Sequence, residues 1–134
     1  MITDIEHIAV IVEDLDRALG VYEEALGLPV SKVQELPEQR VKAAFLPLGN
    51  SQIELIEPTD DTSGVARFLA SRGEGLHHIC LRVDDIDATL AELKEKGLRL
   101  INETAVEGAH GRVAFIHPKA THGLLIELLE RGEP

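Results

Sequence analysis

Ile5-Glu6-His7-Ile8-Ala9-Val10-Ile11-Val12-Glu13-Asp14-Leu15-Asp16 decides the fold, because the chain repeats it. Leu76-His77-His78-Ile79-Cys80-Leu81-Arg82-Val83-Asp84-Asp85-Ile86-Asp87 lies over it at an offset of 71 residues. His7 meets His78, Val12 meets Val83, Asp14 meets Asp85, Asp16 meets Asp87, and farther on Leu19 meets Leu90. Two later matches keep the same order. Phe45-Leu46-Pro47 resembles Phe115-Ile116-His117-Pro118, and Ile53-Glu54-Leu55-Ile56-Glu57 resembles Ile126-Glu127-Leu128-Leu129-Glu130. An internal duplication of this kind sets the architecture before any local reading.

Each copy predicts the same elements. Residues 5–12 and 76–83 are apolar runs that read as strands buried on both faces. Asp14 and Asp85 open helices, since a short side-chain oxygen accepts from the free N–H groups of a first turn. Leu15, Leu19, Tyr22 and Leu26 recur at helical spacing, as do Ile86, Leu90 and Leu93, and Gly27 and Gly97 end the two helices. Three more strands complete each copy, at about 29–35, 40–47 and 51–57, then 98–105, 111–117 and 123–130. A linker of about 59–74, polar at Asp60, Asp61, Thr62 and Ser63, carries a short helix around 65–71. The expectation is an α+β fold: one domain over 1–134 made of two βαβββ modules, about 1–58 and 75–134.

Charge and composition narrow the function. There are 13 basic and 24 acidic residues, a net charge of −11. That excludes a general binder of nucleic acid or anionic membrane, which needs clustered Lys and Arg. A single cysteine, Cys80, leaves no intrachain disulfide and suggests a reducing compartment. Met1-Ile2-Thr3-Asp4 leads straight into a strand with no signal-peptide pattern, and no apolar run reaches the roughly 18 residues of a membrane span. A cytoplasmic protein is expected.

Four polar residues interrupt the apolar strands. His7 shares a face with Ile5, Ala9 and Ile11, and His78 shares one with Leu76 and Cys80. Glu127 stands alone inside Leu124-Leu125-Ile126-Glu127-Leu128-Leu129, and Glu54 lies between Ile53 and Leu55. A single histidine on an apolar strand is most often a satisfied core residue, and a single glutamate most often lies on an edge. One imidazole and one carboxylate in each copy is a different observation. A buried ionised carboxylate costs several kcal/mol or more unless paired or metal-bound. Brought to a common centre, two imidazoles and two carboxylates form a mixed N/O site for one divalent ion, with positions left for water or substrate. Such ligands do not distinguish Co, Mn, Ni, Zn and Mg. His77 points to the opposite face from His78, and Gln52 shares the face of Glu54.

Over almost its whole length the chain resembles the methylmalonyl-CoA epimerase family of the vicinal-oxygen-chelate superfamily, which also holds glyoxalase I and extradiol dioxygenases. The segments that carry the resemblance are Glu6-His7-Ile8-Ala9-Val10, Leu36-Pro37-Glu38-Gln39, Gly75-Leu76-His77-His78-Ile79, Gly108-Ala109-His110-Gly111 and His117-Pro118-Lys119 leading to Gly123-Leu124-Leu125-Ile126-Glu127-Leu128. The resemblance implies a curved mixed sheet around a metal site, metal ligation by His7, Glu54, His78 and Glu127, a homodimer, and interconversion of (2R)- and (2S)-methylmalonyl-CoA by proton transfer at C2 through a metal-stabilised enolate. Some members carry a glutamate base shortly after the Pro-Glu-Gln segment, and that position is Ala43 here. Glu127 is then the expected acid/base on one face of C2. His110, held between Gly108 and Gly111, is the expected group on the other, with His117 and His122 weaker candidates. An acyl-CoA substrate calls for local cations in so acidic a chain. Lys119 is the first choice, then Arg112, Arg40 and Lys42, with Gln52 also placed to touch substrate. Glyoxalase I (lactoylglutathione lyase) is the alternative enzyme. A non-catalytic small-molecule binder of the same superfamily is the alternative outside catalysis, and a dioxygenase fits less well because its facial triad uses three ligands.

Overall fold

Two carboxylates hold the start of each helix that follows the duplicated strand. In the computed structural model, which describes residues 1–132, helix α1 spans Leu15–Leu19 and helix α3 spans Ile86–Glu95. Asp14 accepts from the Arg17 N–H, and Asp85 accepts from the Ala88 N–H. A second carboxylate arrives from a later strand in each copy: Glu57 accepts from Leu15 N at 2.8 Å, and Glu130 from Ile86 N at 3.0 Å. Four N–H groups at a helix start lack intrahelical partners, and these carboxylates also meet the positive end of the helix dipole. Replacing Asp85 by Ala is expected to cost about 1 kcal/mol in urea denaturation, as N-cap removal typically does. No measurable loss would show that Glu130 alone suffices.

The strands are β1 Ile2–Ile11, β2 Lys32–Leu36, β3 Val41–Leu48, β4 Ser51–Pro58, β5 Gly75–Val83, β6 Val106–Glu107, β7 Gly111–Ile116 and β8 Ile126–Arg131; helix α2 spans Gly64–Arg72. They form a mixed sheet in the order β2-β3-β4-β1-β5-β8-β7-β6. The chain divides into two compact units, His7–His77 and Met1–Glu6 with His78 onward, so the first residues of β1 belong with the second copy. In the first unit β1 pairs parallel with β4, and β2, β3 and β4 are antiparallel neighbours. In the second, β5 pairs parallel with β8, and β6, β7 and β8 are antiparallel neighbours.

Both units bury the same positions. The first core centres on Val12, Leu15, Ala44, Leu46 and Leu55, with Leu19 packed against it. The second centres on Val83, Ile86, Leu90, Ala114, Ile116 and Leu128. Position for position these are one core made twice. That is how a chain with 3% aromatics fills its interior: aliphatic side chains from one helix lie on one sheet face.

Two expectations need correction. The helix predicted to run from Leu15 to Leu26 is α-helical only to Leu19 and then a π-helix over Gly20–Ala25, where Leu26 N bonds to Val21 O at 2.9 Å. The repeat explains it. Tyr22 and Leu93 correspond at an offset of 71, whereas Gly27 and Gly97 correspond at 70, so the first copy carries one extra residue, and a π turn absorbs an insertion of that size. The strand expected at 98–105 is also absent. Leu100 makes one isolated bridge to Ile116, and β6 is reduced to Val106–Glu107. In the first copy Ser31 N bonds to Phe45 O and a ladder follows from Lys32. In the second, Ile101 N bonds likewise to Phe115 O, but Asn102 stands where Lys32 does, and its side-chain oxygen takes the Phe115 N–H at 2.8 Å. A side chain thus replaces the ladder bond, the competition that keeps Asn out of strands.

Candidate metal centre

Strand register sets an imidazole beside a carboxylate in each unit. Glu54 on β4 is the partner of Ala9 on β1, and Glu127 on β8 is the partner of Cys80 on β5. His7 and His78 lie two residues before those partners, hence on the same face. His7 Nδ1 is 3.6 Å from Glu54 Oε1, and His78 Nε2 is 3.2 Å from Glu127 Oε1. All four side chains are between 11% and 14% exposed, enough for a small ligand to reach and too little for full hydration of the carboxylates. Phe45 lies across from Glu54 and Phe115 across from Glu127, and the Phe115 ring meets His78 edge-on at 6.0 Å. The donor chemistry fits a divalent ion: imidazole nitrogens and carboxylate oxygens, with aromatic walls limiting water. Gln52 Nε2 donates to Glu54 Oε1 at 3.3 Å, fixing that carboxylate from outside the pair.

The family model of the glyoxalase/bleomycin resistance protein/dioxygenase superfamily matches residues 6–115. The mitochondrial methylmalonyl-CoA epimerase of Mus musculus is 42% identical over 126 residues, covering 92% of this chain and 71% of the relative. The ethylmalonyl-CoA/methylmalonyl-CoA epimerase of Cereibacter sphaeroides is 40% identical over 96% of this chain and 98% of its own length. A solved methylmalonyl-CoA epimerase in complex with methylmalonyl-CoA and NH4+ superposes with a TM-score of 0.86 at 36% identity, covering 98% of this chain and 96% of that one. This chain belongs to the methylmalonyl-CoA epimerase family. No helix among the described residues is long and apolar enough to cross a membrane.

Other residues named from the sequence fall at varied places in this epimerase-family fold. Ala43 is buried on β3 opposite Ile56 and brings no carboxylate. His110 is exposed in the turn between β6 and β7, and its carbonyl accepts from Gly132 N. It precedes Phe115, the neighbour of Glu127, by five residues, about 16 Å of extended strand. Arg112 forks onto Asp87 at 2.8 and 2.6 Å and approaches Glu130 at 3.8 Å. Arg40 bonds Thr62, and Lys42 stands across from Glu35 and Glu57. Lys119 is exposed in the turn after β7. His77 packs edge-on against Phe68 at 4.9 Å, away from His78 as its strand position predicts. A cleft of about 730 Å³ in the His7–His77 unit, between the end of β1 and the π-helix, has neither His7 nor Glu54 in its lining.

Sequence reasoning missed two features. Cys80, which the sequence places on the face of His78 without marking it as a donor, is fully buried across from Glu127. Glu6, only 4% exposed, is clamped by Arg82, whose Nε lies 2.8 Å from Oε2, and by Arg131, whose Nη2 reaches Oε1. Burial alone would raise the Glu6 carboxyl, but the guanidinia of Arg131 and Arg82 bring it below its usual 4.5. A depressed carboxyl stabilises the fold above the unfolded value and loses that contribution as pH falls through the folded one. Glu6→Gln is therefore expected to destabilise at pH 7, with the gap to wild type closing below about pH 4.5 in urea titrations. A gap independent of pH would mean that the glutamate acts by shape alone.

Proposed function

We propose that the protein is a metal-dependent epimerase that interconverts (2R)- and (2S)-methylmalonyl-CoA. The observation that carries this reading is the full-length likeness to epimerases, one of them solved with methylmalonyl-CoA, together with an imidazole–carboxylate pair in each copy of the repeat. In this reading His7, Glu54, His78 and Glu127 hold one divalent ion between them. When bound, the ion supplies positive charge that stabilises the enolate oxygen formed as the C2 proton leaves.

The chain's own residues do the rest. The C2 proton is acidified by the neighbouring thioester carbonyl, and a carboxylate of the site is the base that takes it. Glu127 takes the proton on one face. Inversion needs a second group on the other face. The sequence points to His110, but its place in the β6–β7 turn, five residues before Phe115, favours Glu54, the counterpart of Glu127 in the repeat. Phe45 and Phe115 shield the two carboxylates and keep bulk water from quenching the enolate. A homodimer in the cytoplasm completes the proposal, supported by the family resemblance and the lone cysteine.

The test is to incubate metal-loaded protein with (2S)-methylmalonyl-CoA in D₂O and follow deuterium at C2. Exchange with formation of the (2R) epimer is expected, with little action on the hemithioacetal of methylglyoxal and glutathione. Robust lactoylglutathione formation without C2 exchange would favour the glyoxalase alternative. Binding of the CoA ester with no turnover would favour the non-catalytic one.

A further inference from the structure

We propose that Arg99, His117 and Lys119 form a cradle for the phosphate oxygens of the coenzyme A moiety, an inference that rests on the epimerase reading above. The three come together through the turn that follows β7. His117 N donates to Arg99 O at 3.0 Å, which fastens residue 99 beside the turn. Ala120 N donates to His117 O, and Pro118 O accepts from Thr121 N and Gly123 N, closing a tight loop that carries Lys119 outward. Lys119 N also donates to His117 Nδ1 at 3.1 Å. With Nδ1 used as an acceptor, the neutral imidazole carries its hydrogen on Nε2, a donor available to a ligand. Burial, then the charges of Arg99 and Lys119, lower the His117 pKa and keep that form at neutral pH.

Charge and grouping together mark the cluster, since Arg99 and Lys119 both act on His117. In a chain of net charge −11, several cations are tied to carboxylates: Arg82 and Arg131 to Glu6, Arg112 to Asp87, Arg40 to Asp60, Lys94 to Glu103 and Lys96 to Glu92. Among the described residues no carboxylate forms an ion pair with Arg99 or Lys119, both exposed. Two uncommitted cations and one N–H donor suit an anion of charge −2 or more. In the proposed reaction the malonyl carboxylate goes to the metal set, so the phosphates are the anionic groups left to place. Position agrees. His117 lies two residues beyond Phe115, about 7 Å of strand past the Glu127 row, with Lys119 and Arg99 beside it. A pantetheine arm would run from the metal set to this turn.

Equilibrium binding tests it, with free coenzyme A, dephospho-coenzyme A and phosphate-free pantetheine as probes on wild type and Arg99→Ala/Lys119→Ala. The double variant is expected to bind coenzyme A at least about tenfold more weakly, the size of one charged hydrogen bond, with Lys119→Arg close to wild type. Wild-type affinity for coenzyme A should fall with salt more steeply than the variant's. A loss confined to coenzyme A identifies the 3′-phosphate as the group held; an equal loss with dephospho-coenzyme A identifies the diphosphate. Coenzyme A affinity within about twofold in the double variant, against the tenfold expected from one charged contact, would overturn the cradle. So would an equal loss for pantetheine. The epimerase reading fails separately, if wild type binds coenzyme A but exchanges no C2 proton of methylmalonyl-CoA.

Discussion

Alanine at His7, Glu54, His78 or Glu127 is expected to strip most of the divalent metal from the protein and to lower C2 exchange by about a thousandfold or more. The size follows from what the ion contributes: oxyanion stabilisation by a bound cation amounts to several kcal/mol, and each 1.36 kcal/mol is tenfold in rate. The equality follows from the repeat. His7 with Glu54 and His78 with Glu127 occupy the same register positions and nearly the same exposure, so neither pair is expected to matter more than the other. Truncating one histidine also removes the imidazole beside a poorly solvated carboxylate. Elemental analysis after exhaustive dialysis measures the first effect, and deuterium incorporation at saturating added metal the second. Full occupancy in His7→Ala or His78→Ala would remove that residue from the set. Cys80→Ala supplies the discriminating control, because the thiol is buried opposite Glu127. If that variant loses metal as completely as His7→Ala, the ligand set includes sulfur and the four-residue reading is wrong.

The duplication made most of this legible. Once His7 lies over His78 and Glu54 over Glu127, periodicity gives the face each takes on its own strand, and the pairing of β1 with β4 and of β5 with β8 sets the two pairs at 3.6 and 3.2 Å. The helix starts were equally plain, because Asp14 and Asp85 act through N–H groups three residues away. What sequence did not disclose was either a small change of register or a contact across many residues. The extra residue between Tyr22 and Gly27 is visible in the alignment of the copies, yet nothing local says that a π turn absorbs it. Asn102 cancels a strand through one side-chain bond to Phe115. Glu6 finds Arg82 and Arg131 at sequence separations of 76 and 125, beyond any periodic signal. Its burial beside His7 has no local signal, because a glutamate in a strand reads as an edge residue.

Glutamine at Glu54 and at Glu127 is expected to separate exchange from inversion. Both substitutions keep an oxygen that can ligate metal and remove the carboxylate that moves a proton. Two carboxylates around one site readily share a single proton, so one can accept while the other donates. With only one of them left, a pure epimer in D₂O should take up deuterium with retention from the face that the survivor serves, while formation of the opposite epimer falls by about 10²–10⁴, the usual contribution of a general acid or base. The two variants should mirror each other: the epimer that exchanges freely in Glu54→Gln is the one that stalls in Glu127→Gln. Measurements at saturating metal, normalised to metal content, keep weakened ligation from imitating the effect. His110→Ala is the comparison. Its place five residues before Phe115 on β7 predicts epimerisation within roughly threefold of the parent, well short of an acid/base loss. If instead Glu54→Gln epimerises at the parental rate and His110→Ala shows retention without inversion, Glu54 is only a ligand. The β6–β7 turn must then close over the substrate to bring the His110 imidazole to C2.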